Sequence, residues 1–327
     1  MSSVPSVVKK LTLISLIQLG TVDYATGLRL QQQLVALRKE EKIGDVLLLL
    51  EHSPVITLGR NAKAANVVAS PQLLAQRGVE LFECDRGGDV TFHGPGQIVG
   101  YPIFDLRGFR VGADPLVRPG ESQTRPSTLR KTLGVIEFVR RLEEVLIRTC
   151  ADFAITTKRV PGLTGVWTDA GASDARVGAD AFVRPVEQSS TAAEIVTSAG
   201  MNQNREGHDF SRAVSASNDG AALAAEDDHP EAKLAAIGVH ISRFVTSHGF
   251  ALNVNTDLTY FNLIVPCGIT TKPVTSMQQQ LGKELDLNAV AESISRNFGV
   301  IFGSQMLWVE TLDALVGRVP ESCGSGS

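Results

Sequence analysis

The sequence predicts an α+β fold, because strand-like segments occur in clusters that a few long helical segments separate. The clearest helical segment is 135–146, where apolar residues recur at steps of three and one. Short apolar runs bounded by Gly, Pro and Ser lie on both sides of this segment and are typical of strands. This arrangement favours α+β over a regular βαβ array.

The first two elements are a strand and a helix. Residues 11–19 alternate with period two and are rich in apolar residues on both faces, which predicts a buried strand. Asp23 is a candidate helix N-cap, and Leu30, Leu34 and Leu37 then share one face at helical spacing. We expect this helix to end in the charged run that follows Leu37.

The remaining elements follow from shorter apolar runs. Runs at 46–50 and 55–58, with Ser53 and Pro54 between them, predict two strands joined by a turn. Further strands are predicted at 79–83, 97–104, 234–241 and 250–254, and a further helix at 287–298.

The charge balance argues against a nucleic-acid-binding protein. The 327 residues include 31 Lys+Arg and 35 Asp+Glu, a formal net charge of -4. A protein that binds nucleic acid by neutralising phosphates normally has a basic excess, so we expect no nucleic-acid partner. No apolar run approaches the ~18 residues of a membrane span, so we expect no membrane partner either.

The cysteine pattern indicates a reducing compartment. The four cysteines are scattered without a CxxC pair, which fits neither a zinc ribbon nor a dense disulfide framework. The N-terminal residues lack the pattern of a cleavable signal peptide. We therefore expect a cytoplasmic protein without a metal site.

Two segments differ in composition from the rest of the chain. Residues 107–130 are rich in Arg, Pro, Gly and Ser, and residues 170–230 carry few large apolar side chains. Such segments bury too little apolar surface to offset the entropy cost of ordering, so we interpret them as loop insertions. We expect one domain over residues 1–306, with these insertions, and a partly disordered C-terminal extension over residues 307–327.

The strongest local signal is RGGDVTFHGPGQ at 86–97. It places Arg86, His93 and Gln97 in one glycine-dense stretch, which we interpret as a loop between strands. Glycines allow positive φ and a close approach of backbone to a ligand, so the stretch is a candidate wall of a substrate channel. The alternative is a tight connection whose glycines only satisfy turn geometry. The stretch lacks the GxGxxG and Gly-Lys-Ser/Thr patterns, so a nucleotide-phosphate cradle is poorly supported.

Cys267 is a candidate nucleophile. Pro266 and Gly268 flank it, which predicts a turn that exposes the thiol and leaves a backbone N–H free to stabilise an oxyanion. A lone cysteine can equally be an inert buried residue. A reactive thiolate needs a nearby positive charge, and Lys233 is a candidate for it, although spacing alone does not distinguish Lys233 from other lysines.

Histidines supply candidate bases. His240 and His248 are candidates, with the alternatives of a strand-surface histidine and a turn histidine, and the role of His52 is open. We interpret the other three cysteines as structural or tail residues: Cys84, Cys150 and Cys323.

Taken together, five segments resemble the lipoyl(octanoyl) transferase family. They are RGGDVTFHGPGQIVGYPIFDL, EHSPVITLGR, KLAAIGVHISR, HGFALNVNTDL and FNLIVPCGI. The resemblance covers roughly residues 11–106, 129–169 and 231–300. It implies a fold shared with the lipoate and biotin protein ligases, with a mixed β-sheet, flanking helices and a deep apolar acyl pocket.

The resemblance also implies site residues. The acyl-carrying cysteine of the family falls on Cys267, and the lysine that lowers its pKa falls on Lys233. The substrate-binding residues implied are Arg86, Gly87, Gly88, Asp89, Val90, Thr91, Phe92, His93, Ala236, Ile237, Gly238, Gly249, Phe250 and Ala251. We expect backbone N–H groups, with His93 as a further candidate, to hold the oxyanion, and Lys233 or a neighbouring histidine to deprotonate the acceptor.

The reaction implied is octanoyl transfer from octanoyl-acyl carrier protein to a lysine of lipoyl domains, as in the E2 subunits of 2-oxoacid dehydrogenases and the glycine-cleavage H protein. Thioester to amide is downhill, so we expect no cofactor, ATP or metal. Two alternatives remain: an ATP-dependent lipoate or biotin ligase of the same fold, and an acyl-carrier or lipoyl-domain binding protein that has lost turnover.

Overall fold

The computed structural model describes residues 12–109, 132–169, 231–266 and 272–316. The strands are β1 (Thr12–Val22), β2 (Asp45–His52), β3 (Val55–Leu58), β4 (Glu80–Glu83), β5 (Val90–His93), β6 (Gln97–Ile103), β7 (Thr157–Val160), β8 (Leu163–Thr168), β9 (Lys233–Ser242), β10 (Val245–Asn253) and β11 (Ser304–Trp308). The helices are α1 (Tyr24–Lys39), α2 (Pro71–Gln76), α3 (Val135–Asp152), α4 (Met277–Leu281), α5 (Leu287–Phe302) and α6 (Leu312–Val316). No helix within these ranges is long and apolar enough to cross a bilayer.

A mixed eight-stranded sheet organises the fold. Its order is β11-β1-β2-β6-β10-β9-β8-β7. β1 runs parallel to both β2 and β11, and the other neighbours are antiparallel. The predicted α+β class with a mixed sheet is confirmed.

Helices cover both faces of this sheet, as the central strand β2 shows. Leu47 and Leu49 point into a core cluster that α3 and α5 complete, whereas Leu48 and Leu50 point into a cluster with Leu34 of α1. Successive side chains of a strand alternate between faces, so a strand buried on both sides reads as a continuous apolar run. The predicted helix start also holds, since Asp23 accepts a hydrogen bond from the Thr26 backbone N–H at 2.8 Å.

A second, three-stranded sheet has the order β4-β3-β5. The two runs at 46–50 and 55–58 are strands as predicted, but they belong to different sheets. The second sheet has its own core cluster, which includes Ile56, Val90 and Phe92. This sheet stands beside β9 and β10, and the Gly87 N–H donates to the Val239 carbonyl at 3.2 Å across the gap.

The C-terminal boundary predicted at residue 306 is too early. β11 runs to Trp308 and pairs with β1, so residues 304–308 complete the edge of the large sheet. Leu312 and Leu315 of α6 then pack against the cluster that contains α1. These contacts are long-range pairings that a boundary drawn from composition does not register.

The predicted insertions fall almost entirely outside the described residues, which exclude 110–131 and 170–230. Residues 107–109, assigned to the first insertion, are described, and Phe109 is buried among Phe104 and Phe302. The core therefore extends slightly beyond the boundary that composition predicted.

Candidate active site

A pocket opens between the two sheets, where β5 of the small sheet faces β9 and β10 of the large one. It encloses about 480 Å³ of empty space, its open mouth included. Small-molecule sites are likewise concave and mostly apolar. Tyr24, Val99 and Tyr101 contribute to its lining.

Most of the residues implied as substrate-binding line this pocket. They are Arg86, Gly87, Gly88, Asp89, Thr91, His93, Ala236, Ile237, Gly238, Gly249, Phe250 and Ala251. The two sheets thus bring residues 86–93 together with residues 236–238 and 249–251, which lie more than 140 residues further along the chain. Of the two interpretations of residues 86–97, the channel wall agrees with this geometry.

Two of the residues implied as substrate-binding, Val90 and Phe92, have side chains outside this pocket, and a substrate-binding role for them stays a prediction. Both are buried in the core cluster of the small sheet, and neither lines the pocket. Within the predicted loop, residues 90–93 form strand β5, so their side chains alternate between its two faces. Thr91 and His93 therefore face the pocket, while Val90 and Phe92 face away from it.

Close backbone contact explains a glycine in the wall. A Cβ at Gly238 would lie 2.5 Å from the Gly87 carbonyl oxygen, a separation that real Cβ atoms do not show. β9 can therefore approach the 86–88 stretch this closely only because residue 238 is glycine, while a Cβ at Gly87 would make a tight contact of 3.1 Å with the Val239 carbonyl oxygen.

A second, narrower chamber of about 290 Å³ adjoins the pocket. The two share Thr91, Ala236 and Ala251 as lining residues. Lys233 and Pro266 line the narrow chamber only. The lining of the two adjoining chambers thus extends from Arg86 to Lys233.

Lys233 is buried, contrary to the common behaviour of a lysine at a strand edge. It is 8% exposed, and its Nζ lies 5.3 Å from the centroid of the Trp167 ring, within cation–π range. Its backbone N–H donates to the Pro273 carbonyl at 2.8 Å, and its carbonyl accepts from the Thr275 N–H at 3.0 Å. The segment 273–275 therefore holds Lys233 in place.

Sequence reasoning missed the residues that surround this lysine. Gly165 has a φ of +123°, and a Cβ there would lie 2.5 Å from the Ala235 carbonyl oxygen and 3.0 Å from Lys233 Cε. Trp167, two residues on, is 1% exposed. The only signal in the sequence is that one of the two tryptophans follows a glycine by two residues in a short run.

Cys267 and Cys323 lie outside the described residues. The pairing of Cys267 with Lys233 therefore stays a prediction. Cys150 is fully buried, and burial raises the pKa of its thiol to about 12, which agrees with a structural role. Cys84 is half-buried, and its thiol donates to the Leu58 carbonyl at 3.4 Å.

His93 does not fit the expected role in holding an oxyanion. Its Nδ1 lies 2.7 Å from Gln97 Oε1 and its Nε2 lies 3.5 Å from Thr57 Oγ1, so both ring nitrogens face residues of the wall. Burial lowers the pKa of His93 to about 3, with further contributions from His52 and Arg86. A neutral ring engaged on both sides has no N–H to offer.

His240 and His248 are also too far from Lys233 to act on the same reacting group. Both pair with the Asp85 carboxylate, with His248 Nε2 2.7 Å from Asp85 Oδ1. His248 lies opposite Val239 in the sheet, six residues along β9 from Lys233. At ~3.3 Å per residue that is roughly 20 Å.

His52 supports the pocket indirectly, through a hydrogen bond to the lining residue Tyr101. Its Nδ1 lies 2.8 Å from the Val22 carbonyl, which can only accept, so the proton is on Nδ1. Its Nε2 then accepts from the Tyr101 hydroxyl at 2.6 Å. Burial lowers the pKa of His52 to about 4, so the ring is neutral.

Comparison with known proteins agrees with this geometry. A family model described as the lipoyl protein ligase A/B catalytic domain matches residues 23–299. An octanoyltransferase of Koribacter versatilis is 51% identical over 304 residues, 93% of this chain and 90% of that protein. One of Acidobacterium capsulatum is 46% identical over 300 residues, 91% of this chain and 94% of that protein.

A solved structure confirms the lipoate-ligase fold. It is a bipartite lipoate protein ligase and its E2 lipoyl domain from Thermoplasma acidophilum, with a TM-score of 0.55 over 93% of this chain and 91% of that one. At 11% identity this likeness shows the fold alone. The octanoyltransferase relatives carry the assignment further: the chain belongs to the lipoyl(octanoyl) transferase family and is an acyltransferase that transfers octanoyl groups in lipoate biosynthesis.

Proposed function

We propose that this enzyme takes the octanoyl group from octanoyl-acyl carrier protein and passes it to a lysine of a lipoyl domain through a thioester on Cys267. One observation carries the proposal: buried Lys233 lines the narrow chamber together with Pro266, the residue bonded to Cys267. The sequence neighbour of the candidate nucleophile and the candidate activating cation therefore share one small cavity.

The cavity has the length that an acyl chain requires. Gly238 lies five residues along β9 from Lys233, roughly 17 Å at ~3.3 Å per residue. An eight-carbon chain has seven C–C bonds of about 1.5 Å, so it spans less than about 11 Å. A chain attached near Lys233 therefore reaches Ala236 and Ala251, where the two chambers meet.

In the first half-reaction the Cys267 thiolate, favoured by the Lys233 ammonium, attacks the thioester carbonyl of the donor. The new C–S bond produces a tetrahedral oxyanion, which backbone N–H groups stabilise. Its collapse breaks the bond to the carrier sulfur, and the carrier thiolate takes a proton from Lys233. The products are octanoyl-Cys267 and the free carrier thiol.

In the second half-reaction the acceptor lysine attacks the enzyme thioester as a neutral amine. The neutral amine of Lys233 takes the proton that the attacking nitrogen loses, because His240 and His248 are roughly 20 Å or more away. Collapse forms the amide and releases the Cys267 thiolate beside the Lys233 ammonium, which restores the starting state.

The proposed acceptors are the lipoyl domains of 2-oxoacid dehydrogenase E2 subunits and the glycine-cleavage H protein. The Thermoplasma structure in the comparison is described as a lipoate protein ligase and its E2 lipoyl domain, and we extend that acceptor class to this enzyme. The proposed substrate-binding residues are the twelve of the pocket lining that the family resemblance implies.

Intact-mass spectrometry of the full chain tests the intermediate. Incubation with octanoyl-acyl carrier protein is expected to add one octanoyl group to the wild type and to Cys84→Ser, a matched control whose half-buried thiol is remote in sequence from Pro266. Cys267→Ser is expected to gain no octanoyl group, since its hydroxyl is far less nucleophilic than a thiolate at neutral pH and would have to form an oxygen ester. An adduct that forms equally on Cys267→Ser would refute the proposal.

The same assay separates the ATP-dependent alternative. Octanoylation of a lipoyl domain from free octanoate only when ATP is added would indicate a ligase. Tight association with the carrier protein or lipoyl domain without any acyl transfer would indicate a binding protein.

A further inference from the structure

The side-chain amide of Gln97 has one orientation that its neighbours determine. Its Nε2 donates to the Phe92 carbonyl at 3.2 Å and to Asn253 Oδ1 at 2.8 Å. The Asn253 amide is itself oriented, because its Nδ2 donates to the Thr275 carbonyl at 3.0 Å. Carbonyl oxygens only accept, so both backbone contacts require nitrogen on that side. The Gln97 oxygen must therefore face His93.

This orientation determines the tautomer of His93. Gln97 Oε1 lies 2.7 Å from His93 Nδ1 and can only accept, so the proton of the neutral ring is on Nδ1. Nε2 then carries a lone pair. The ring is 7% exposed, so no solvent molecule is needed to explain either nitrogen.

The lone pair on His93 Nε2 faces the Thr57 hydroxyl, which must act as a hydrogen-bond donor. Thr57 Oγ1 accepts from Arg86 Nε at 3.1 Å and from Arg86 Nη2 at 2.9 Å, which occupies both of its lone pairs. Its one proton remains to be placed, and His93 Nε2 lies 3.5 Å away as the acceptor. Arg86 Nη2 also donates to the Thr57 carbonyl at 2.7 Å.

We propose that Gln97 is a positioning residue of the acyl pocket: by holding His93 as the Nδ1–H tautomer, it leaves Thr57 Oγ1 free to receive both Arg86 N–H groups, which fixes Arg86 in the pocket wall. The kinetic readout of this proposal rests on the proposed function. Its spectroscopic readout does not.

Gln97→Met tests this positioning role. Methionine is close to glutamine in length, but it is apolar and its sulfur is a much weaker hydrogen-bond acceptor for Nδ1–H than an amide oxygen. A buried N–H without an acceptor is costly enough to shift the tautomer ratio by a factor of ten or more, towards Nε2–H. That proton would then compete with the two Arg86 N–H groups for Thr57 Oγ1, and Arg86 would lose one of its contacts.

Long-range ¹H–¹⁵N NMR spectra of the full chain with labelled histidines distinguish the tautomers directly. Wild-type His93 is expected to be protonated on Nδ1 only at pH 7, whereas His93 in Gln97→Met is expected to carry its proton on Nε2. The matched control is Gln280→Met, whose half-buried amide donates to Thr275 Oγ1 at 2.9 Å and has no contact with His93. Its His93 is expected to match the wild type.

Wild-type His93 protonated on Nε2, or on both nitrogens, would overturn the proposal even if Gln97→Met fails to fold. So would an unchanged Nδ1–H signal in a folded Gln97→Met.

Octanoyl-transfer kinetics provide the second readout. Arg86 lies beside Gly238, roughly 17 Å along β9 from Lys233, so it lines the pocket far from the reacting carbonyl. Gln97→Met is expected to raise KM for octanoyl-acyl carrier protein about tenfold with kcat within about twofold, the loss expected for one hydrogen bond from a charged group. A reduced kcat with unchanged KM would refute the positioning role. Absence of transfer by the wild type would refute the proposed function and leave the tautomer assignment standing.

Discussion

Replacing Gly238 with alanine tests whether the pocket wall depends on contact between two backbones. The new Cβ would lie 2.5 Å from the Gly87 carbonyl oxygen and 3.5 Å from Arg86 Cδ. Ordinary contact with that oxygen begins at 3.4 Å, so β9 and the 86–88 stretch would have to separate by about 1 Å. This separation would also stretch the hydrogen bond from the Gly87 N–H to the Val239 carbonyl.

We expect Gly238→Ala to lower the free energy of unfolding by about 1–3 kcal/mol, the usual cost of overpacking. With a urea m-value of ~1–3 kcal/mol/M, the unfolding midpoint would fall by about 1 M. Octanoyl transfer should fall as well, because the displaced backbone lines the pocket.

Gly44→Ala is the matched control for Gly238→Ala, since a Cβ at Gly44 would meet no atom within 4 Å. Its urea midpoint is expected to differ from that of the wild type by no more than the equivalent of about 0.5 kcal/mol in the free energy of unfolding. Equal urea midpoints and equal transfer rates for the two alanine variants would show that the close approach of β9 to residue 87 does not shape the pocket.

Two further predictions follow from burial. His52 and His93 have folded-state pKa values of about 4 and about 3, below the ordinary 6.5, so protonation favours the unfolded chain. Their contribution to stability is complete above pH 6.5 and is lost as the pH falls towards 4 and 3: at pH 5 each contributes about 2 kcal/mol less than at pH 7. Urea unfolding midpoints measured at pH 5 and pH 7 should show this loss of stability. In His52→Asn the difference between the two midpoints should be about half of that in the wild type. An equal pH dependence in the wild type and His52→Asn would contradict the prediction. Ala236→Val should narrow the junction of the two chambers, so transfer from an octanoyl donor should fall more than transfer from a butyryl donor, at an unchanged urea midpoint; an unchanged ratio of the two rates would show that the junction does not carry the chain.

Secondary structure was largely predictable because it depends on local pattern. The period-two run that became β1, the capped helix α1 and the amphipathic helix α3 all follow from the spacing of apolar residues and from Asp23 as N-cap. Chain ends were less predictable. β11 and α6 have weak local patterns and are held by pairing with β1 and by packing on a distant cluster.

Within the site, residue types were predictable and their directions were not. Val90 and Phe92 lie in the same motif as Thr91 and His93, but strand alternation sends them to the opposite face, and a motif does not show that β5 is a strand. The tautomer of His93 depends on Gln97, whose amide is oriented by contacts from residues far away in the chain.

By itself, the sequence determined the α+β class, the main helices and strands, the family, and the glycine-rich stretch at the channel, because periodicity, capping and motif composition are local properties of the chain. Only the tertiary structure decided that Lys233 is buried against Trp167 and Gly165, that two chambers join at Ala236 and Ala251, and which way His93 is protonated. These properties arise where β5, β8, β9 and β10 meet, and sequence spacing carries no information about a distance between strands of different sheets.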